Sequence, residues 1–465
     1  MIRLRSLLLL AGAASLAGCD MAPHYVRSVA DFVPPQWPAG AAYPPAADGA
    51  AGMTWQTLVT DAKLRGVIAQ ALAHNQDLAA AVASVAAARA QYRVQRSYQL
   101  PTLAAGGGVS VERPIGSGSG ASASTTAWSA DLGVTGFELD LFGRLKNLSR
   151  EALAQYLATE SGARATRLTV VSETATAYVT LAADRDLLAV AQDQVKSSER
   201  TVALNQDLHT QGLVSGADVA EAETVLAQAR SDVAQYTTQV AQDRNALELL
   251  VGHPLDDAAL PASLAEIDTG LAIPAAGLSS AVLLSRPDVV EAEQQLKAAN
   301  YDIGAARAAF FPTISLTGLA GLASSALTSL FSGGATLWSS AATASVPVLG
   351  GTNRGNLAYS QAQRDYYLAT YRKTAQTAYR DVADALARRG TIGRQRTAQA
   401  DLVAASAKSY AVAEARYREG VDSFLTTLVA QRTLYTARQT QTATVLADLS
   451  NRVTLYAAIG SDPAL

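Results

Sequence analysis

Polar and apolar residues alternate along this chain with two periods, and each period predicts a different element. Leu103, Ala105, Val109 and Val111 fall on one side of a period-two pattern, with Ser110 and Glu112 on the other. Trp128, Ala130, Leu132 and Val134 alternate in the same way with Ser129, Asp131 and Thr135. Ile314, Leu316, Gly318, Ala320 and Leu322 alternate with Thr313, Ser315 and Thr317, and residues 337–346 are a weaker fourth case. Period two means strands with one apolar face. The glycine- and serine-rich stretches 116–125 and 323–334 read as hairpin tips.

Elsewhere the pattern is helical. Medium helices are predicted over 77–100 and 287–311, the second opening on Pro287, where a missing N–H costs nothing. Very long helices follow over 144–211 and 353–419, neither containing a proline. Shorter helices return over 217–251 and 424–459 after glycine-containing tips. At ~1.5 Å per residue the long helices reach about 100 Å, the return helices about 55 Å and the medium ones about 40 Å. A medium helix stacked end to end on a return helix therefore matches one long helix.

These elements come twice. At an offset of 208, Gly212-Leu213-Val214-Ser215 falls on Gly420-Val421-Asp422-Ser423, Leu226 on Leu434, Arg230 on Arg438, and Gly252 on Gly460. Upstream the offset becomes 211, where Arg96 meets Arg307 and Pro101-Thr102 meets Pro312-Thr313. The chain reads as an internal duplication.

The start of the chain says where it is sent. Arg3 and Arg5 precede an apolar run from Leu7 to Leu16, and Leu16-Ala17-Gly18 leads into Cys19, the one cysteine of 465 residues. This is an export signal, not a membrane-spanning helix. Its ending resembles a lipobox, which makes Cys19 the lipidated first residue after cleavage. Without another cysteine, no disulfide staples the exported chain.

Composition narrows the function. A net charge of −3 carries no polyanion-binding signature, so no nucleic-acid partner is expected. His24, His74, His209 and His253 show no metal-ligand spacing, so no metal is expected. There is neither a phosphate-binding glycine loop nor a Gly-x-Ser-x-Gly elbow. The reading is therefore not an enzyme, and no cofactor is expected.

Four strands of this length suit a tilted crossing of an outer membrane. They cannot close a barrel alone, because the smallest membrane barrels use about eight strands. An open edge in hydrocarbon costs several kcal/mol per unpaired backbone group. Identical copies must share one wall. Pattern alone requires two or more copies and does not choose the number.

The order of elements resembles the TolC-like outer-membrane efflux proteins, most closely the NodT/OprM-like lipoprotein branch that serves resistance-nodulation-division (RND) pumps. The residues that carry this are Phe137-Glu-Leu-Asp-Leu-Phe-Gly-Arg144, Ser285-Arg-Pro-Asp-Val289, Ala305-Ala-Arg-Ala-Ala-Phe-Phe-Pro312, and Tyr417-Arg-Glu-Gly420 with Leu434-Tyr435. The resemblance implies a mainly α fold with a small membrane β part. Long coiled helices of a homotrimer form an α-barrel tunnel, and four strands per chain join a shared 12-stranded β-barrel. The division it implies is a signal peptide over 1–18, a lipid-anchored arm over 19–60, a helical segment over 61–100 and a first β-hairpin over 101–141. A first helix pair covers 142–252 with its tip near 212–216, and an equatorial linker covers 253–285. A second helical segment over 286–311, a second hairpin over 312–349, a second helix pair over 350–460 with its tip near 420–423, and a tail over 461–465 complete it.

The same resemblance implies a function and its partners. The chain would be the outer-membrane channel of a tripartite pump, passing small toxic compounds or drugs outward from an inner-membrane RND transporter through a periplasmic adaptor. It would sit in outer-membrane lipid with a long periplasmic extension. The tips Gly212, Leu213, Val214 and Ser215, and Gly420, Val421, Asp422 and Ser423, would touch the adaptor; as bare sequence they are ordinary glycine turns. Tyr417 matches a gate tyrosine, while Thr426 and Val429 stand where family members often place aspartates. Asp422 occupies a place where a cationic gate residue can occur. Asp218 and Glu221, at the equivalent positions of the first half, are either a cation-selecting ring or acids favoured at a helix start. Two other functions remain open: the duct of a type I protein-secretion system, and a structural surface lipoprotein with a helical stalk.

Overall fold

In the computed structural model, residues 20–27, 33–44, 53–113, 124–274, 277, 279–332 and 335–462 are described. The signal segment, Cys19, most of the first hairpin tip and part of the second lie outside them. In chain order the helices and strands are α1 (Trp55–Leu58), α2 (Ala62–His74), α3 (Gln76–Ser97), β1 (Leu103–Glu112), β2 (Thr125–Leu139), α4 (Arg144–Thr210) and α5 (Gly216–Val251). Then follow α6 (Leu264–Asp268), α7 (Pro287–Ala308), β3 (Thr313–Ser324), β4 (Ala335–Ser345), α8 (Thr352–Arg418) and α9 (Phe424–Ile459). The chain forms two compact units. One gathers Ser84–Thr159 and Glu291–Tyr371 with the described residues up to Arg27. The other gathers Ser28–Ala83, Glu160–Val290 and Arg372–Leu465.

The first unit holds one antiparallel sheet in the order β1-β2-β3-β4. Its register explains the alternation. Leu103 pairs with Val134, Ala105 with Leu132 and Val109 with Trp128, so the apolar positions of β1 and β2 share a face. Leu132 then pairs with Ala320, and Ala320 with Trp338. On β4 the apolar face carries Trp338 but also Thr336 and Ser340, whereas Leu337 points to the other face. That mixture is why the fourth strand is the faintest in the sequence. The opposite face carries Ser129, Asp131, Ser339 and Thr343. Both faces of β1 and β4 are exposed. Each of these strands pairs with one neighbour among the described residues.

The run 137–144 is a chain of structural devices. Gly136 takes a φ of +67° where the β2–β3 register shifts between Val134 and Phe137. A left-handed residue in a bulge is a glycine position. Arg144 donates from Nε and Nη2 to Glu138 Oε1 and Oε2 at 2.8 and 2.5 Å, and Asp140 Oδ2 accepts the Lys146 N–H in the first turn of α4 at 2.7 Å. Phe142 stacks on Phe311 at 4.7 Å. The two family-like runs thus fasten the sheet to α4 and α7.

The same unit holds the arm that follows Cys19. Arg307 donates to the Met21 carbonyl, Asn300 to the Pro23 carbonyl, and Tyr25 and Arg27 both donate to Glu293. Glu293, Asn300 and Arg307 are seven residues apart, so they lie along one side of α7. Asp20 is paired with Arg150.

The core of the second unit is built by residues distant in sequence. Leu64, Val67 and Ile68 of α2, Tyr178 and Leu181 of α4, Leu247 and Val251 of α5, and Leu449 and Val453 of α9 pack with Leu260, Ile267 and Leu271 of the segment after α5. Asp268 and Asp448 sit among Arg389, Arg396 and Arg452, with Arg396 at 2.7 Å from Asp268 and 2.6 Å from Asp448. The hydrogen bonds that Arg452 adds to the Asp268 and Leu271 carbonyls complete the cluster. Buried ions need partners of opposite charge.

Duplication is visible here at atomic scale. Asn75 accepts from the Leu78 N–H at the start of α3 and donates to the Leu250 carbonyl at the end of α5. Arg286, 211 residues later, grips Asp288 at the start of α7 and donates to the Ala458 carbonyl at the end of α9. Two different side chains therefore weld the same joint, a medium helix onto a return helix. Gly252 and Gly460 close α5 and α9 with left-handed caps, at φ +84° and +62°.

Candidate functional site

The candidate site is the pair of helical tips in the second unit. Helix α4 ends when Gly212 adopts φ +73°, which lets the Leu213 N–H return to the Leu208 carbonyl at 2.9 Å. Helix α8 ends identically: Gly420 has φ +70°, and the Val421 N–H returns to the Arg416 carbonyl at 2.9 Å. Both are glycine-terminated Schellman turns. They lift Leu213 and Val421 into solvent, 68% and 60% exposed.

The tips diverge one step further on. Ser215 caps α5 through a complete capping box. Its Oγ accepts from the Asp218 N–H at 3.2 Å, and Asp218 Oδ2 accepts from the Ser215 N–H at 2.9 Å. His209 Nδ1 adds a bond to the Val214 carbonyl. Ser423 stands at the same place before α9 but makes no side-chain cap bond. Thr426 replaces Asp218 in the repeat, and its hydroxyl lies 3.4 Å from the Ser423 hydroxyl. An ion pair takes over: Arg416 Nε and Nη2 donate to Asp422 Oδ2 and Oδ1 at 2.6 and 3.0 Å. Arg416 holds the Asp422 carboxyl below its ordinary pKa, and Asp422 raises that of Arg416.

Tyr417 is buried rather than presented to a lumen within this chain. Its hydroxyl donates to Asn205 Oδ1 at 2.7 Å, and its ring lies 5.5 Å from that of Phe424. Val202, Ala222, Phe424 and Leu428 pack around it. Burial, then the Asp218 charge, pushes the Tyr417 hydroxyl pKa up. Thr426 and Val429 are exposed on α9, as is Glu221 on α5. Glu221 and Val429 occupy the same repeat position, as do Asp218 and Thr426.

Three functional neighbours escaped sequence reading: Asn205, Arg416 and Phe424. Arg416 carried a usable signal, since a cation and an anion six residues apart across a glycine turn can meet. Asn205 carried none, because its partner lies 212 residues away. Cys19, the predicted lipidation residue, lies outside the described residues. Among the described residues no helix is long and apolar enough to cross a membrane.

An apolar sheet face, two sheet edges without a second partner among the described residues, and paired long helices ending in twin glycine tips define a class: a membrane channel assembled from several copies. The chain belongs to the outer membrane efflux protein family, whose model matches residues 67–253 and 278–461. It is 43% identical over 467 residues to the antibiotic efflux pump outer membrane protein ArpC of Pseudomonas putida, covering 98% of this chain and 95% of that protein. It is 42% identical over 467 residues to the toluene efflux pump outer membrane protein TtgC of Pseudomonas putida, with the same coverages. The crystal structure of the open state of the Neisseria gonorrhoeae MtrE outer membrane channel superposes with a TM-score of 0.84 at 31% identity, over 96% of this chain and 99% of that one. This is a family of efflux channels, not of enzymes, and its place is the outer membrane.

Proposed function

We propose that this chain is the passive exit duct of a tripartite efflux pump, closed by three copies and carrying small toxic compounds outward. The observation that carries the reading is the four-stranded sheet, with an apolar face shared across β1, β2 and β3 and two edges that pair with one strand each among the described residues. Three such sheets make twelve strands, enough for a membrane barrel. An RND transporter supplies the energy and a periplasmic adaptor bridges to it. The antibiotic and toluene pumps of the two Pseudomonas relatives support a substrate class of drugs and solvents.

The adaptor contact falls to Gly212, Leu213, Val214, Ser215, Gly420, Val421, Asp422 and Ser423, whose apolar residues Leu213 and Val421 stand exposed. The tunnel narrows at Thr426 and Val429, with Glu221 and Asp218 in the other half, and the buried Tyr417 braces this place through Asn205 and Phe424. Asp218 acts there mainly through the cap of α5. Lipidation at Cys19 is supported by the docking of Met21, Pro23 and Tyr25 on α7, in the unit that holds the sheet.

The test is complementation of a deletion strain. The wild-type chain restores growth on a panel of antibiotics, dyes and solvents and gives single-channel conductance in planar bilayers. The double variant Leu213→Asp/Val421→Asp keeps the conductance and loses the resistance. A folded, monomeric, non-conducting chain would sink the proposal. Unchanged susceptibility with loss of a secreted polypeptide would replace it with type I export.

A further inference from the structure

The sequence treats the histidines as scattered, and the fold corrects this for two of them. His74 and His253, 179 residues apart, meet in the second unit with ring centroids 5.2 Å apart and planes at 83°. Each stands at the end of a helix. His74 is the last residue of α2, and His253 follows Gly252, the left-handed cap of α5. The two helix C-termini bring partial negative charge to one place, which favours a cation there.

The protonation pattern of both rings is set by their neighbours. His74 Nδ1 lies 3.1 Å from the Gln70 carbonyl, and His253 Nδ1 lies 2.8 Å from the Pro254 carbonyl. A carbonyl oxygen only accepts, so Nδ1 carries the hydrogen in each ring. The lone pair of each neutral imidazole is then on Nε2. Metal-binding histidines are prepared in this way, one ring nitrogen donating to a carbonyl and the other left to the ion. Two imidazoles on one tetrahedral ion, with metal–nitrogen distances of about 2.0–2.1 Å, would hold their centroids about 5 Å apart. One turn before His74, Gln70 has a buried Oε1 with no hydrogen-bond partner among the described residues.

We propose that His74 and His253 bind a divalent transition-metal ion of the copper, nickel and zinc group at the joint between α2 and α5. Imidazole nitrogen suits these ions and not magnesium or calcium. No cluster of three or more histidine, cysteine or acidic residues gathers among the described residues. Water therefore fills the remaining positions. The competing account is a plain edge-to-face ring contact, which binds nothing.

The full chain, purified in detergent without a histidine tag and stripped with chelator, is titrated with CuCl2 and NiCl2 by calorimetry. One ion per chain is expected, copper tighter than nickel, with a rise in Tm that chelator reverses. His74→Gln and His253→Gln each weaken binding at least about tenfold, whereas His24→Gln leaves it unchanged. Electron paramagnetic resonance of the copper-loaded wild type should show two coordinated nitrogens, a readout that needs no variant to fold. No saturable binding below about 1 mM, wild-type affinity in either variant, or fewer than two nitrogens overturns the proposal.

Discussion

Asp184 of α4 and Asp243 of α5 are neighbouring carboxyls, and that of Asp184 is pushed up to about 7. Burial is the first cause, and the charge of the neighbouring Asp243 adds to it. In the unfolded chain the group titrates near the ordinary ~3.9. Between these values the folded state holds a proton that the unfolded state has lost, so stability falls as pH rises through that window. We expect the Tm of the wild type to decline from pH 5 to pH 8 more steeply than that of Asp184→Asn. Parallel Tm profiles would refute the raised Asp184 carboxyl. The residue scale also shows why Asp218 misleads a sequence reader. An acid at the third position of a helix reads equally as a gate or a cap, and only the 2.9 Å bond to the Ser215 N–H shows the cap.

At the scale of elements, the helix and strand spans follow the hydrophobic periods closely, because 67-residue helices without proline leave the chain few alternatives. The joints between elements were not legible. Asn75 and Arg286 occupy the same repeat position but are an amide and a guanidinium, so comparing the two halves residue by residue hides their common role. Asn75→Ala removes both a helix cap and the bond to the Leu250 carbonyl, which should cost about 1–2 kcal/mol. Arg286→Ala should be at least as damaging, since it strips the Asp288 pair as well. Hydrogen exchange should locate each loss at its own joint, at the start of α3 and of α7. Uniform acceleration along both halves would mean that the joints do not act independently.

For the whole molecule, the sheet decides the assembly. Leu132 lies on the apolar face of the central strand β2, while Ser129 lies on the polar face. Leu132→Arg near the bilayer midplane should cost about 2–4 kcal/mol and deplete heat-stable oligomer from outer-membrane fractions. Ser129→Arg should leave the oligomer intact. If both variants insert equally well, the apolar face does not meet lipid.

The order of local forces along the chain determined the elements, their duplication and the need for more than one copy. Periodicity is a short-range property, and an unclosed sheet is unsatisfied whatever surrounds it. The closed identity of each contact was settled only in three dimensions. Tyr417 with Asn205, Asp268 with Arg452 and His74 with His253 join residues between 179 and 212 positions apart. Nothing in the spacing of the sequence marks such partners, because the long helices carry them together only once they pack.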